Sequence, residues 1–289
     1  MKNPVFTGTC TALVTPFING RINYPMAEQL LRRQMDNGIS AVVLAGTTGE
    51  SATLSDAEKI QLFKRCKTYC GDQCTIIAGT GSNSTDHAVA LSVAAESAGA
   101  DALLLVSPYY NKSTPDGLIA HYLAVANAVS IPVILYNVPT RTGVDIPVEV
   151  YKQLSVIPNI AGVKEASSNI TKIARIRNEC PQDFYVWSGN DDQIVPTVAL
   201  GGKGVISVLS NICPRETEQM LQCALTGNFK EAAAMQCEFM PLIDLLFCEV
   251  NPIPVKAAMK MIGYDCGECR LPLVDLSRVN RKRMEAYLK

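Results

Sequence analysis

The stretch IAGVKEAS, Ile160 to Ser167, is apolar as far as Val163 and then turns to a lysine and a glutamate. With the loop residues IPN ahead of it, it reads as a short buried strand that ends in charge. An ammonium is among the groups least often fully buried. Lys164 therefore either pairs with a carboxylate such as Glu165 or is placed at the end of the strand to react.

Seven further runs have the same character: GTCTALVTPF (8–17), AVVLAGTTG (41–49), TIIAGTGS (75–82), ALLLVSPYY (102–110), PVILYNVP (132–139), FYVWSGND (184–191) and GVISVLSN (204–211). Each is dominated by β-branched residues or leucine and lacks polar alternation, as in parallel strands buried on both faces. Helix-length segments lie between them. SDAEKIQLFKRCKTY opens with Ser55 and has Glu58 three residues on, a capping-box pattern. STDHAVALSVAAESAGA ends at Gly99, which suits a C′ glycine, and TPDGLIAHYLAVANAV starts with Thr114 before Pro115, which suits a first helical turn. Strand then helix, repeated eight times, predicts an α/β fold of the (β/α)8 TIM-barrel type over residues 1–226. A doubly wound sheet is the alternative, but no GxGxxG follows the first strand. Beyond residue 226 no further strand run appears, and three helical segments predict a C-terminal helical extension, 227–289, with Met235, Met240, Met259 and Met261 as packing residues.

The 289 residues are 48% hydrophobic and 18% charged, enough for a large core, and the net charge of −1 gives no support for a nucleic-acid or anionic-membrane partner. The N-terminus lacks the apolar region of a signal peptide, and no uninterrupted apolar run is long enough for a membrane span, so a cytoplasmic location is expected. Eleven cysteines without a signal read as reduced thiols. Cys66, Cys70 and Cys74 would align on a helix that ran that far. The CGEC stretch, Cys266 to Cys269, lacks a second CxxC or a histidine pair to complete a metal shell, so no metal is expected.

Active sites of such barrels lie at the C-terminal ends of the strands. The polar side chains ending the runs are Thr15, Thr47, Thr48, Thr80, Ser107, Tyr109, Tyr110, Tyr136, Lys164, Ser188 and Ser207, all expected at one mouth. One of these is an amine. Neither histidine, His87 or His121, is among them, which argues against a metal and against a Ser-His-Asp triad. A lysine ringed by hydroxyls suggests a Schiff base. An ordinary lysine is neutral in roughly one molecule in 2,500 at pH 7, and depressing its pKa by about 3 costs about 4 kcal/mol, within what burial imposes. Tyr136, ending the preceding strand, would reach Lys164 and exchange protons with a carbinolamine. The glycines and threonines of GTTGE, Gly46 to Glu50, suit a carboxylate, and Arg141 could fork onto a second one.

GTTGES, SPYYNK, YNVPTRTG, GVKEAS, GVISV and NPIPVK occur in this order and at fitting separations. With them the chain resembles, over essentially its whole length, the 4-hydroxy-tetrahydrodipicolinate synthase (dihydrodipicolinate synthase) family, pyruvate-dependent carbon–oxygen lyases of the class I aldolase type. The resemblance implies condensation of pyruvate with L-aspartate 4-semialdehyde in lysine and diaminopimelate synthesis, with no cofactor. It implies the imine at Lys164, a proton donor and acceptor at Tyr136, and a hydroxyl relay through Thr47 and Tyr110. Tyr110 would come from a neighbouring subunit of a homo-oligomer, commonly a dimer of dimers. Thr48, Ile206 (through its backbone) and Gly189 match pyruvate contacts, and Arg141 matches the residue that receives the semialdehyde. N-acetylneuraminate lyase-like aldolases share the lysine and tyrosine, and Arg141 favours the synthase over them. A silent barrel that binds a small acid is the alternative of another class. Ser51, Ala52, Asn83 and Tyr109 match a site where lysine inhibits some members. Asp56 and Lys59 replace histidines there and His87 replaces an acidic residue, so feedback by lysine is expected to be weak or absent.

Overall fold

A computed structural model describes all of residues 1–289. The strands are β1 (Gly8–Ala12), β2 (Phe17–Ile18), β3 (Arg21–Ile22), β4 (Ala41–Leu44), β5 (Thr75–Gly79), β6 (Ala102–Val106), β7 (Val133–Asn137), β8 (Ile160–Glu165), β9 (Tyr185–Ser188) and β10 (Gly204–Ser207). Eight of them, β1 and β4 to β10, pair in parallel and close into a barrel, β1 bonding to β10 on one side and β4 on the other. This is the (β/α)8 barrel expected from the sequence. The helices are α1 (Tyr24–Asp36), α2 (Asp56–Cys70), α3 (Thr85–Ser97), α4 (Pro115–Ala128), α5 (Pro139–Thr142), α6 (Val148–Leu154), α7 (Ile170–Glu179), α8 (Ile194–Ala199), α9 (Pro214–Leu225), α10 (Phe229–Leu246), α11 (Ile253–Met261) and α12 (Arg278–Leu288). No helix is long and apolar enough to cross a membrane.

The strands lack polar alternation because both of their faces are buried in different cores. One set of residues, including Cys10, Val43, Ile77, Leu104, Ile134, Trp187 and Ile206, fills the barrel. Their neighbours along the strands, including Val42, Ile76, Leu103, Leu135, Val163, Val186 and Val205, pack outward with the helices. Phe6 stacks on Trp187 inside the barrel, with ring centres 5.1 Å apart, and its carbonyl accepts the indole N–H at 3.1 Å.

Local signals hold where they were read. Ser55 and Glu58 form a full capping box on α2, Thr114 caps α4 ahead of Pro115, and Gly99 follows α3 at φ +92°. Two readings need correction, the first run and part of the set expected at the mouth. The strand in the first run stops at Ala12, and Phe17 begins a separate hairpin whose turn, Asn19-Gly20, has positive φ at both residues. Asn-Gly between apolar residues is the signal for such a turn. Helix α2 stops at Cys70 against Gly71 (φ +57°), so Cys74 lies beyond it. Thr80, Ser188 and Ser207 do not point into the mouth. Thr80 accepts from Ser92 of α3, Ser188 donates to the Asn190 carbonyl, and Ser207 accepts from the Ser210 amide.

Candidate active site

Residue alternation along β8 decides what Lys164 does. Adjacent strand residues face opposite ways. Lys164 is in register with Tyr136 on β7 and Trp187 on β9, both barrel-lining. Glu165 therefore faces the helices, where its carboxylate is fully engaged. It accepts from Asn137 Nδ2 at 2.9 Å, from the Tyr151 hydroxyl at 3.2 Å and from the Ser167 amide at 2.9 Å. The cation nearby is Lys172, 4.0 Å from Glu165 and paired also with Asp145. Lys164, 6% exposed, makes no ion pair; its Nζ lies over the Tyr136 ring, 4.2 Å from the ring centre. The carboxylate next in sequence is taken by another lysine, and the buried amine is left free.

Gly189, at the end of β9, allows this placement. A Cβ there would lie 2.5 Å from Ala166 Cβ and 3.0 Å from Lys164 Cε, so a side chain would displace the lysine. Its amide donates to the Glu165 carbonyl at 2.7 Å, fixing the backbone beside the lysine.

Above Tyr136 lies a cavity of about 580 Å3, lined also by Thr47, Tyr109 and Arg141. Neither the Tyr136 hydroxyl nor that of Thr47 is bonded within the chain, and both residues face this space. Thr48 is buried, and its Oγ1 accepts from Asn251 Nδ2 at 2.9 Å. Ile206 is buried on the barrel-lining face of β10. Arg141 is exposed and donates from Nη2 to the Asn251 carbonyl at 3.1 Å. Tyr110 stands apart: it is 92% exposed, has φ +70°, and does not line the cavity.

The Gly-Thr turn is held in a strained shape, with Ala45 at φ +50° and Glu50 at φ +57°. Such conformations cost about 1–3 kcal/mol each and persist where the surroundings hold them. Here the C-terminal extension holds Glu50. Lys256 on α11 donates to Glu50 Oε1 at 2.9 Å, and the Arg270 amide donates to Oε2 at 2.8 Å. Reading the sequence alone assigned no part to Asn251, Glu50 or Lys256, although all three lie inside the GTTGE and NPIPVK stretches. It also passed over Asp191, a buried carboxyl whose Oδ2 accepts the Val208 and Leu209 amides and whose burial raises its pKa.

Among the four residues matched to a lysine site, Ser51, Ala52 and Tyr109 line the cavity and Asn83 does not. Asp56, Lys59 and His87 line it too. His87 Nε2 lies 2.8 Å from Asp56 Oδ2, and the buried Lys59 ammonium is 3.9 Å from Asp56 Oδ1. Burial lowers the pKa of Lys59. Cys266 and Cys269 are free thiols, each pushed by burial to a pKa of about 12.

A closed parallel barrel with one buried, unpaired lysine at the C-terminal end of a strand, set over a tyrosine ring, is the architecture of the class I aldolase type. Comparison with known proteins narrows this. The profile of the Dihydrodipicolinate synthetase family matches residues 5–289, and the chain belongs to that family. A 4-hydroxy-tetrahydrodipicolinate synthase from Acetivibrio thermocellus is 46% identical over 289 residues, covering 100% of this chain and 98% of its own. One from Alkaliphilus oremlandii is 45% identical over 285 residues, covering 99% and 98%. The crystal structure of dihydrodipicolinate synthase from Aquifex aeolicus matches with a TM-score of 0.96 at 41% identity, covering 98% of this chain and 97% of that one.

Proposed function

We propose that Lys164 is the imine-forming residue of a synthase that condenses pyruvate with L-aspartate 4-semialdehyde to give 4-hydroxy-tetrahydrodipicolinate, in lysine and diaminopimelate synthesis. The observation that carries this reading is the unpaired Lys164 amine over the Tyr136 ring, with Glu165 engaged elsewhere.

Nζ of Lys164 adds to the C2 carbonyl of pyruvate, and the carbinolamine hydroxyl leaves as water with a proton from Tyr136. The resulting iminium draws electrons from the methyl group, which loses a proton to give an enamine. The enamine carbon attacks the aldehyde carbon, whose oxygen takes up a proton. The amine of that adduct then attacks C2, closing the ring and releasing Lys164. Covalent catalysis of this kind divides one difficult step into easier ones. Thr47 relays protons to and from Tyr136, Thr48 and the Ile206 backbone hold the pyruvate carboxylate, with Gly189 beside them, and Arg141 receives the semialdehyde.

Tyr110 completes the relay from a second copy of the chain. Its outward projection supports that assignment, because within its own subunit it is solvated, is held at positive φ and does not line the cavity. The working form is accordingly a homo-oligomer, a dimer of dimers, in the cytoplasm. Residues 1–226 act as the catalytic barrel, and 227–289 as a helical unit that braces its mouth.

Turnover with aspartate semialdehyde, set against sialic acid and keto-deoxy sugar acids, tests the acceptor. Preference for a sugar acid would reassign the chain to the lyase branch. Normal turnover by Lys164→Arg would remove the imine from the account altogether.

A further inference from the structure

Two stretches far apart in the chain meet at the mouth of the barrel. The turn Gly46–Glu50 supplies Thr48 and Glu50, and the segment Asn251–Lys256 of the helical extension supplies Asn251 and Lys256. They join twice, by Asn251 Nδ2 donating to Thr48 Oγ1 at 2.9 Å and by the Lys256–Glu50 ion pair at 2.9 Å. All four residues are buried. The ion pair explains how the segment is anchored, but it does not account for Asn251.

A threonine hydroxyl has one proton and two acceptor sites. Where Asn251 donates to Thr48, an acceptor site is used and the Thr48 proton stays available. That proton is what a carboxylate needs from Thr48. Thr48 makes no other side-chain hydrogen bond in the chain. Asn251 is 6% exposed and lines the cavity, and its Oδ1 has no partner. Its backbone carbonyl, meanwhile, receives Arg141.

We propose that Asn251 is a positioning residue for pyruvate: its amide N–H sets the direction of the Thr48 hydroxyl, so that Thr48 donates to the keto-acid carboxylate. The role rests on the reading of Thr48 as a carboxylate contact. It yields a separation that a bracing role would not. Side-chain substitutions remove the amide and leave the carbonyl that holds Arg141. Pyruvate binding therefore suffers, and semialdehyde binding does not.

The test uses the full-length enzyme. In Asn251→Ala the KM for pyruvate should rise about tenfold, the change expected for a lost hydrogen bond that orients a group toward a charge. The KM for aspartate semialdehyde should stay within about twofold of wild type on the same grounds. Introduced into Thr48→Val, the same substitution should add little to the pyruvate KM, because the two residues act as one unit. Asn251→Asp keeps the shape but can only accept, so it should take the Thr48 proton and raise the pyruvate KM at least as far. It also carries the test if the alanine variant does not fold. Unchanged pyruvate KM in the variant that folds, equal changes for both substrates, or full additivity with Thr48→Val would each overturn the proposal. Borohydride trapping at saturating pyruvate separates this from the imine itself. Labelling of Lys164 in every variant leaves the imine standing whatever Asn251 does, whereas loss of labelling in the wild type would strike the underlying reading.

Discussion

Replacing Lys256 by methionine keeps a long apolar stem and removes one charge from the junction between the helical extension and the Gly-Thr turn. Lys256 and Glu50 have side chains 3% and 0% exposed, and their charged atoms are 2.9 Å apart. The lysine also donates to the Glu268 carbonyl at 3.0 Å and sits 4.4 Å from the centre of the Phe17 ring. Lys256→Met leaves Glu50 buried with the Arg270 amide as its remaining donor. Breaking a buried pair from one side costs about 3–5 kcal/mol, because the surviving charge is left uncompensated. For a chain of 289 residues that is a fall of about 5–8 °C in melting temperature. Removing both charges, with Lys256→Met and Glu50→Gln together, should recover most of the loss, since a buried pair exchanged for neutral groups of similar volume is often near neutral. Urea unfolding followed by the fluorescence of Trp187, the single tryptophan and fully buried, gives the three values. A loss under about 1 kcal/mol in the single variant, or a double variant no more stable than it, would refute the reasoning.

Further expectations concern the chemistry and the pH response. Tyr136→Phe keeps the ring beneath Lys164 and removes the hydroxyl, so kcat should fall about 10²–10⁴-fold; a loss smaller than about fivefold would remove Tyr136 from proton transfer. The Arg270 guanidinium bonded to Glu58 holds that carboxyl at about 2, below its ordinary 4.5. A depressed carboxylate stabilises the fold above its unfolded pKa, and the contribution is lost as pH falls toward the folded value. The melting temperature should therefore decline between about pH 4.5 and 2, and Glu58→Gln should flatten that decline; identical slopes would contradict the assignment. Saturating L-lysine should leave turnover essentially unchanged, because Asp56 is occupied by His87 and the Lys59 ammonium repels a second one. Strong inhibition in a steady-state assay would show that the cavity still recognises lysine.

The barrel was legible because its strands are buried on both faces, so each appears as an unbroken apolar run. Lys164 was legible because a cation interrupts such a run. Its freedom from Glu165 also follows from the alternation of a strand, although which group would satisfy Glu165 does not, since Lys172 and Tyr151 come from separate helices. The hairpin at Asn19-Gly20 carried a readable turn signal just beyond the first run, whose last residue, Phe17, belongs to the hairpin. Ser188 and Ser207 looked like mouth residues because they end strands, but they are one position out of phase with the inward-facing set. What the sequence could not show was the pairing of the turn with the extension. Asn251 and Thr48 are separated by 203 residues, and no local pattern links a threonine to the asparagine that orients it. Tyr110 was also expected at the mouth because it ends a strand run, but within one chain it faces solvent and does not line the cavity, so only the resemblance gives it a part in the site.

The proposed chemistry turns on one buried amine bonding for a time to a keto acid. Incubating the enzyme with pyruvate, reducing with borohydride and mapping the product by mass spectrometry tests that bond directly. The expected result is irreversible inactivation with a single reduced pyruvyl adduct on Lys164, absent when pyruvate is omitted. An adduct on any other residue, or none at saturating pyruvate, would contradict it.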